Sequence, residues 1–357
     1  MSPLSNLVSL SVSHVALNPV VTASLLWVLT RGPPNVRDPL LNRISSLRNP
    51  QTLARVVKAL KWLLALGVTG TVNQQLNKLA LNAWRLKNEK KRWDWSKEIA
   101  VVTGGCSGIG ELVVKRLIGK GVKVAVLDIQ QLPPSLQGYA HVKFFACDVT
   151  DAAAVNSAAE QIRDTLGTPS ILVNNAGIAT AHTILDTSPE WLRKIFDVNV
   201  LSNWYTVQAF LPDMMEKNKG HIVTVASTAS YLGLAGITDY CGTKAAVLAF
   251  HEGLNAELKH KYKVPNVLTT SIHPVWVRTP LIAPFEKTLR AAGSPMIDAH
   301  VVSDAIADQI FKCSGAQVFL PSRVGRVSAV RGWPNWMQEA FRGMVSKGLL
   351  PATEQQK

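Results

Sequence analysis

The first 30 residues contain no charged side chain. A cleaved signal peptide opens on a basic n-region, so this start fits that reading poorly. Cysteine is scarce: Cys106, Cys147, Cys241 and Cys313 are the only four in 357 residues, and none forms a C-x-x-C pair. No zinc-site spacing and no small disulfide framework results, so reduced thiols facing the cytosol are expected. Short internal repeats and long low-complexity runs are missing as well. Acidic residues are few at the start: residues 1–97 hold 3 Asp and Glu against 14 Lys and Arg. The formal charge is +14, so residues 98–357 carry little of the excess. A hydrophobic share of 47% allows a sizeable core.

The basic extension is also apolar. The run at about 7–30 is long enough to cross a bilayer as a helix, which takes ~20 residues, although Asn6, His14 and Asn18 are polar and Pro19 would kink it. Arg31, Arg37, Arg43 and Arg48 follow, so the positive-inside rule puts that flank and the rest of the chain on the cytosolic side. A second apolar run at 56–72 is interrupted by Lys58 and Lys61, which suits an interfacial helix or an amphipathic helix packed on the domain. The basic cluster RLKNEKKRW at 85–93 fits a membrane surface better than nucleic acid, given the apolar segments before it.

From residue 98 short apolar runs alternate with helical patterns: EIAVVTG, VKVAVLD, VKFFACD, SILVNNAG, GHIVTVAS and VLTTSIHP. That alternation predicts an α/β, doubly wound parallel sheet, a Rossmann fold. TGGCSGIG, Thr103 to Gly110, lies between the first strand and the first helix. A helix N-terminus there would hold a dinucleotide pyrophosphate, with Gly104, Gly108 and Gly110 permitting the turn and the close approach. Asp128 ends the second strand, about where an acidic group meets the adenosine ribose hydroxyls. A carboxylate repels a 2′-phosphate, and the glycine loop has no Lys or Arg, so NAD(H) is favoured over NADP(H). DYCGTK at 239–244 sets Tyr240 and Lys244 on one helix face. Alone, that spacing fits an ordinary amphipathic helix as well as a phenol tuned by an ammonium.

Together, TGGCSGIG, NNAG at 174–177, Asn199, Ser227 and YCGTK, in that order, resemble the short-chain dehydrogenase/reductase family over residues 97–320. The resemblance implies a catalytic set of Asn199, Ser227, Tyr240 and Lys244. Tyr240 would exchange the proton of an alcohol, its pKa lowered by Lys244; Ser227 would bond the substrate oxygen; Asn199 would place a water in a proton relay. The cofactor contacts it implies are Thr103, Gly104, Ser107, Gly108, Ile109, Gly110, Asp128, Asp148, Val149, Asn175, Ala176, Gly177, Tyr240, Lys244, Pro274, Val277 and Thr279, with Asn174 holding the fourth strand. Val275 departs from the family's usual glycine, which would leave the backbone there less free.

The hydrophobic extension and the Arg- and Trp-bearing end resemble the family branch of 17-beta-hydroxysteroid dehydrogenase 11-like and retinol dehydrogenase 10-like enzymes. The expectation is an NAD(H)-dependent oxidoreductase for a lipophilic alcohol, steroid, retinoid or similar. It would sit on endoplasmic reticulum or lipid droplets with its catalytic domain toward the cytosol. The apolar segment after the sixth strand, VWVRTPLIAPFEKTLRAAG, suits such a substrate. The division expected is 1–97 as membrane-associating extension, 98–322 as dehydrogenase domain and 323–357 as a basic, Trp-containing tail. The resemblance also implies a homodimer through helices near 190–217 and 238–262. No metal and no nucleic acid are expected. The alternative is an NAD(H)-binding scaffold with little turnover.

Overall fold

The computed structural model describes residues 15–86 and 89–347. Residues 7–14 of the first apolar run, Lys87 and Asn88 of the basic cluster, and residues 348–357 of the tail lie outside the described residues. The chain divides into two compact units, residues 1–80 and 81–357.

In the first unit, Asn18 interrupts the leading apolar run. Its Oδ1 accepts from the backbone N–H groups of Val20 and Val21 at 3.0 and 3.4 Å. Pro19, which has no N–H to leave unpaired, then opens helix α1, Pro19–Arg31. Thirteen residues make a helix of about 20 Å, short of the ~30 Å apolar core of a bilayer. Helices α2, Pro34–Arg43, and α3, Pro50–Leu81, follow. The run at 56–72 is the middle of α3, where Lys58 and Lys61 point to solvent. Among the described residues no helix is long and apolar enough to cross a membrane. The transmembrane helix expected from the first run is therefore not found there: the cap at Asn18 cuts it short. Gly67 lies where a Cβ would meet the Leu17 carbonyl oxygen at 2.4 Å, so only glycine lets α3 come so near residue 17.

The second unit begins ahead of the first strand. Arg92 donates to the carbonyls of Asn218 and Lys217, both at 3.1 Å. Trp93 is buried, with the Lys219 ammonium 4.8 Å from its ring. Arg92 and Trp93, from a stretch that is basic by composition, thus pack against residues 217–219.

The main sheet has seven parallel strands in the order β3-β2-β1-β4-β5-β6-β9. They are β1 Ile99–Thr103, β2 Lys123–Asp128, β3 Val142–Ala146, β4 Ile171–Asn174, β5 Gly220–Val225, β6 Val267–Pro274 and β9 Ala316–Leu320. A parallel pair, β7 Trp276–Arg278 and β8 Met296–Asp298, stands apart. The crossover helices are α4 Gly108–Ile118, α5 Ala152–Thr165, α6 Pro189–Phe196, α7 Ser202–Glu216, α8 Thr238–His260, α9 Glu286–Ala291 and α10 Ala299–Lys312; α11, Asn335–Lys347, follows β9.

Alternation along β1 divides the core. Ala100 and Val102 pack with Val113 and Leu117 of α4 and Ile306 of α10. Val101 faces the opposite layer, with Ile162 of α5 and Phe210 and Met214 of α7. With both faces covered, the central strands need apolar residues at nearly every position, hence their unbroken hydrophobic runs. Each fully buried Val or Leu contributes about 1.5–3 kcal/mol. β1 lies between β2 and β4, so the crossovers diverge there and open a crevice at the carboxyl ends of the strands.

Candidate active site

The crevice floor is the turn after β1. Gly104 and Gly108 have φ of +62° and +55°, the left-handed region that favours glycine. A Cβ on Gly110 would sit 2.1 Å from the Gly104 carbonyl oxygen. The turn is clamped to the end of β4. Thr103 Oγ1 accepts from the N–H groups of Asn175 and Ala176 at 3.0 and 3.1 Å. Asn175 Nδ2 donates to the carbonyls of Thr103 and Gly104, both at 3.0 Å. Ser107 caps α4 without a side-chain bond to its first turn, which leaves the helix N–H groups free for an anion.

Asp128 is buried. Its Oδ2 accepts from Cys106 N–H and its Oδ1 from Gln130 N–H, both at 2.9 Å. It therefore holds the glycine turn as well as facing the cleft. Gly104, Ser107, Gly108, Ile109, Asp128, Asp148, Val149, Asn175, Ala176, Gly177 and Thr279 all line that cleft. Asp148 is exposed, and its Oδ1 accepts from Thr150 N–H and Oγ1–H at 2.9 and 2.8 Å. Thr103 and Gly110 shape the turn from behind. Lys194 of α6, Cys147 and Gln130 also line the cleft. Lys194 follows Arg193 in the last turn of an ordinary amphipathic helix, so no motif marks it.

A second cavity, of about 330 Å³, adjoins the cleft and shares Ile109, Asn175, Gly177 and Thr279 with it. Ser227, Tyr240, Lys244, Pro274 and Val277 line this cavity. Ser227 follows β5, where its Oγ accepts from Ala229 N–H at 3.1 Å and donates to the Pro274 carbonyl at 3.4 Å. Tyr240 stands in the first turn of α8 and lines the cavity with Ser227. Burial pushes its phenol up to about 12, partly offset by the nearby Ser227 hydroxyl. Burial outweighs the lowering expected from Lys244. Lys244 Nζ is 5.6 Å from the Tyr240 ring centroid and donates instead to the Val225 carbonyl at 2.9 Å. Burial pushes Lys244 itself down to about 8.

Asn199 lies beneath these groups, in a π-helical turn between α6 and α7. Its amide is fully used: Oδ1 accepts from Ile178 N–H at 2.8 Å, and Nδ2 donates to Ile178 O at 2.9 Å and Thr243 Oγ1 at 3.1 Å. Asn174 Oδ1 accepts from Thr206 Oγ1–H at 2.9 Å, which ties β4 to α7. Val275 keeps negative φ and donates from its N–H to Leu320 O at 3.0 Å, so the departure from glycine carries no backbone strain.

The rest of the cavity wall is apolar and comes from three places. Leu232, Leu234 and Ile237 precede α8; Trp276, Leu281 and Ile282 follow β6; Val324, Val327, Phe341 and Val345 belong to the last segment. By composition that segment looks like a basic, Trp-containing tail; in the fold these four side chains close the cavity.

The model of the short chain dehydrogenase family matches residues 98–290. The chain is 37% identical over 274 residues to dehydrogenase RED2 of Cochliobolus heterostrophus, covering 76% of this chain and 95% of that protein. It is 32% identical over 241 residues to estradiol 17-beta-dehydrogenase 11 of Pongo abelii, covering 66% of this chain and 78% of the relative. Among solved structures, the 3-ketoacyl-(acyl-carrier-protein) reductase of Brucella melitensis, complexed with NADH, superposes with a TM-score of 0.57 at 25% identity. That match covers 64% of this chain and 98% of the reductase.

Proposed function

The chain belongs to the short-chain dehydrogenase family, and from that premise we propose that it interconverts a lipophilic alcohol and its carbonyl with NAD(H), Tyr240 serving as acid and base. The observation that carries this reading is the meeting of two cavities. Ser227, Tyr240 and Lys244 face one of them, and that cavity shares Gly177 and Thr279 with the glycine-turn cleft.

The cleft fits a dinucleotide on its own terms, with two left-handed glycines, no room for a Cβ at Gly110, and open N–H groups at the start of α4. When bound, the nicotinamide supplies the hydride acceptor or donor. Asp128 at the adenosine end supports NAD(H) over NADP(H), because a buried carboxylate disfavours a phosphate beside it. Ser227 Oγ and the Tyr240 hydroxyl both line the cavity where a substrate oxygen would sit. With its phenol held up to about 12, Tyr240 stays protonated at neutral pH, so the proton that a carbonyl oxygen would take up is in place. In the oxidative direction the nearby Lys244 cation favours the phenolate. Asn199, locked by three hydrogen bonds, holds the Gly177–Ile178 backbone against α8.

The apolar wall supports a lipophilic substrate. Estradiol 17-beta-dehydrogenase 11, by its name, acts on a steroid. Exposed Trp27, Trp62, Leu66 and Val72 on α1 and α3, beside exposed Lys58 and Lys61, support attachment to a membrane or lipid-droplet surface. Pairing of two copies through α7 and α8 is supported by half-exposed Trp204, packed on Phe250 at 4.2 Å.

The test is nicotinamide absorbance during turnover of the full chain, offered NAD⁺ and NADP⁺ with steroid, retinoid and long-chain alcohols. Turnover with NAD⁺ that falls about 10²–10⁴-fold in Tyr240→Phe is the expected result. A variant that turns over like the wild type would remove Tyr240 from the chemistry. NADH binding without turnover across the panel favours a scaffold.

A further inference from the structure

The cavity holding Ser227 and Tyr240 is closed by the last described part of the chain. Val324 and Val327 from the 3-10 stretch Ser322–Gly332, and Phe341 and Val345 from α11, form that wall. The outward side of α11 is apolar too. Trp336 and Met344 are 73% and 72% exposed. At about 100° per residue they share one arc of the helix with exposed Ala340 and Gly343. A helix with one side on a protein core ordinarily turns polar groups outward. This one is apolar toward the cavity and also turns two large apolar side chains, Trp336 and Met344, to solvent, beside exposed Asn335 and Glu339.

The surrounding charge is of one sign. From Arg323 to Lys347 the chain carries five Lys and Arg and a single acid, Glu339. Glu339 is already paired with Arg342, while Arg323, Arg326 and Arg331 are exposed. An apolar strip bordered by cations is the pattern of a helix that lies in an anionic lipid interface. A second copy is the poorer occupant, because it would bring the same cations and a net charge of +14. The polar ties of α11 are few. Ser346 Oγ accepts from Ala235 N–H at 3.2 Å, and Gln338 Nε2 donates to the carbonyls of Arg331 and Trp333 at 3.3 and 2.8 Å.

We infer that the outer side of α11 docks on an anionic lipid surface, and that a lipophilic substrate passes from that surface into the cavity beside Phe341 and Val345. The second clause rests on the lipophilic-alcohol reading; the docking stands on the helix alone. The chain then holds its substrate channel against the phase in which such a substrate dissolves. Water need not be crossed.

The experiment is hydrogen exchange of the full chain with vesicles of phosphatidylcholine alone, with vesicles containing phosphatidylserine, and with none. Slowed exchange of residues 335–347 only with the anionic vesicles is expected. Reading exchange at α11 itself separates this contact from any made by residues 1–80. The doubly substituted Trp336→Ser, Met344→Ser chain should lose that protection and keep its Tm, since both side chains are exposed. Its turnover of a vesicle-borne long-chain alcohol should fall about tenfold while that of a short water-soluble alcohol is unchanged. No protection with anionic vesicles overturns the inference. Protection that grows with protein concentration in the absence of vesicles overturns it in favour of a second copy. If α11 is protected but no alcohol reacts, the docking stands and the substrate reading falls. If alcohols react and α11 is unprotected, the docking alone falls.

Discussion

Lys244 Nζ donates to the Val225 carbonyl at 2.9 Å, across the gap between α8 and the end of β5. This is the ammonium's only hydrogen bond among the described residues, so a buried cation is held in place by one neutral acceptor. The arrangement costs stability. Burial lowers Lys244 to about 8, from 10.5 in the unfolded chain. Between those values the unfolded state binds more protons, so stability rises as pH climbs from about 8 toward 10.5, and the full penalty applies at pH 7. Lys244→Met is expected to abolish turnover and to stabilise the fold at pH 7 by up to about 3 kcal/mol. Urea denaturation at pH 7 and pH 10 checks this; the gain should shrink at the higher pH. A variant less stable than wild type at both would show that the Val225 bond outweighs the desolvation.

Three buried histidines set the opposite end of the pH range. Burial pushes His221 down to about 3 and His251 and His273 to about 4. Below an unfolded value of 6.5 the unfolded chain takes up protons that the folded chain refuses, so stability falls as pH drops from about 6.5 to 4. Each histidine contributes a slope of up to about 1.4 kcal/mol per pH unit. His221→Gln should flatten the fall in Tm between pH 6.5 and 5 by roughly a third. An unchanged slope would mean that His221 titrates normally in the fold.

Asp128 faces the cleft and also accepts two backbone N–H groups. Asp128→Ala is expected to lower kcat/KM with NAD⁺ at least tenfold, about 1.4 kcal/mol, and to raise the NADP⁺ to NAD⁺ ratio. Steady-state kinetics with both cofactors decide it. A ratio that does not move would leave Asp128 with a purely structural role in the turn.

Asp239 joins the helix start that carries Tyr240 to the segment after β4. Its Oδ2 accepts from Trp191 Nε1–H at 2.8 Å and lies 3.0 Å from His182 Nε2, while His182 N–H donates to Gly236 O at 2.9 Å. Asp239→Ala leaves the indole N–H without its acceptor and should cost about 1–3 kcal/mol. Asp239→Asn, which keeps one acceptor oxygen, should cost less. Calorimetric Tm values rank the two; equal losses would count against the hydrogen bonds as the source.

Gly110→Ala should abolish NADH binding, read by cofactor fluorescence, because its Cβ would press on the Gly104 carbonyl at 2.1 Å. Undiminished binding would show that the turn can open without loss.

Much of this protein is written in local pattern. The central strands β1, β2 and β4 are nearly continuous apolar runs because both faces are covered, and the glycine turn is recognisable because its backbone needs residues without a Cβ. Tyr240 and Lys244 share a helix face by spacing alone. Local pattern failed where burial depends on distant chain. β9, AQVFL, is half-buried at every position, so it shows neither an apolar run nor an alternation; its place is decided by pairing with β6. The basic cluster at 85–93 reads as the end of a membrane-associating extension, yet Arg92 and Trp93 find partners at 217–219. Composition alone could determine that the last segment is basic and bears tryptophan. Only the tertiary structure decided that Phe341 and Val345 close the cavity of Tyr240, and that Lys244 turns to Val225, because a side chain's electrostatics and packing depend on what the fold brings within a few ångströms of it.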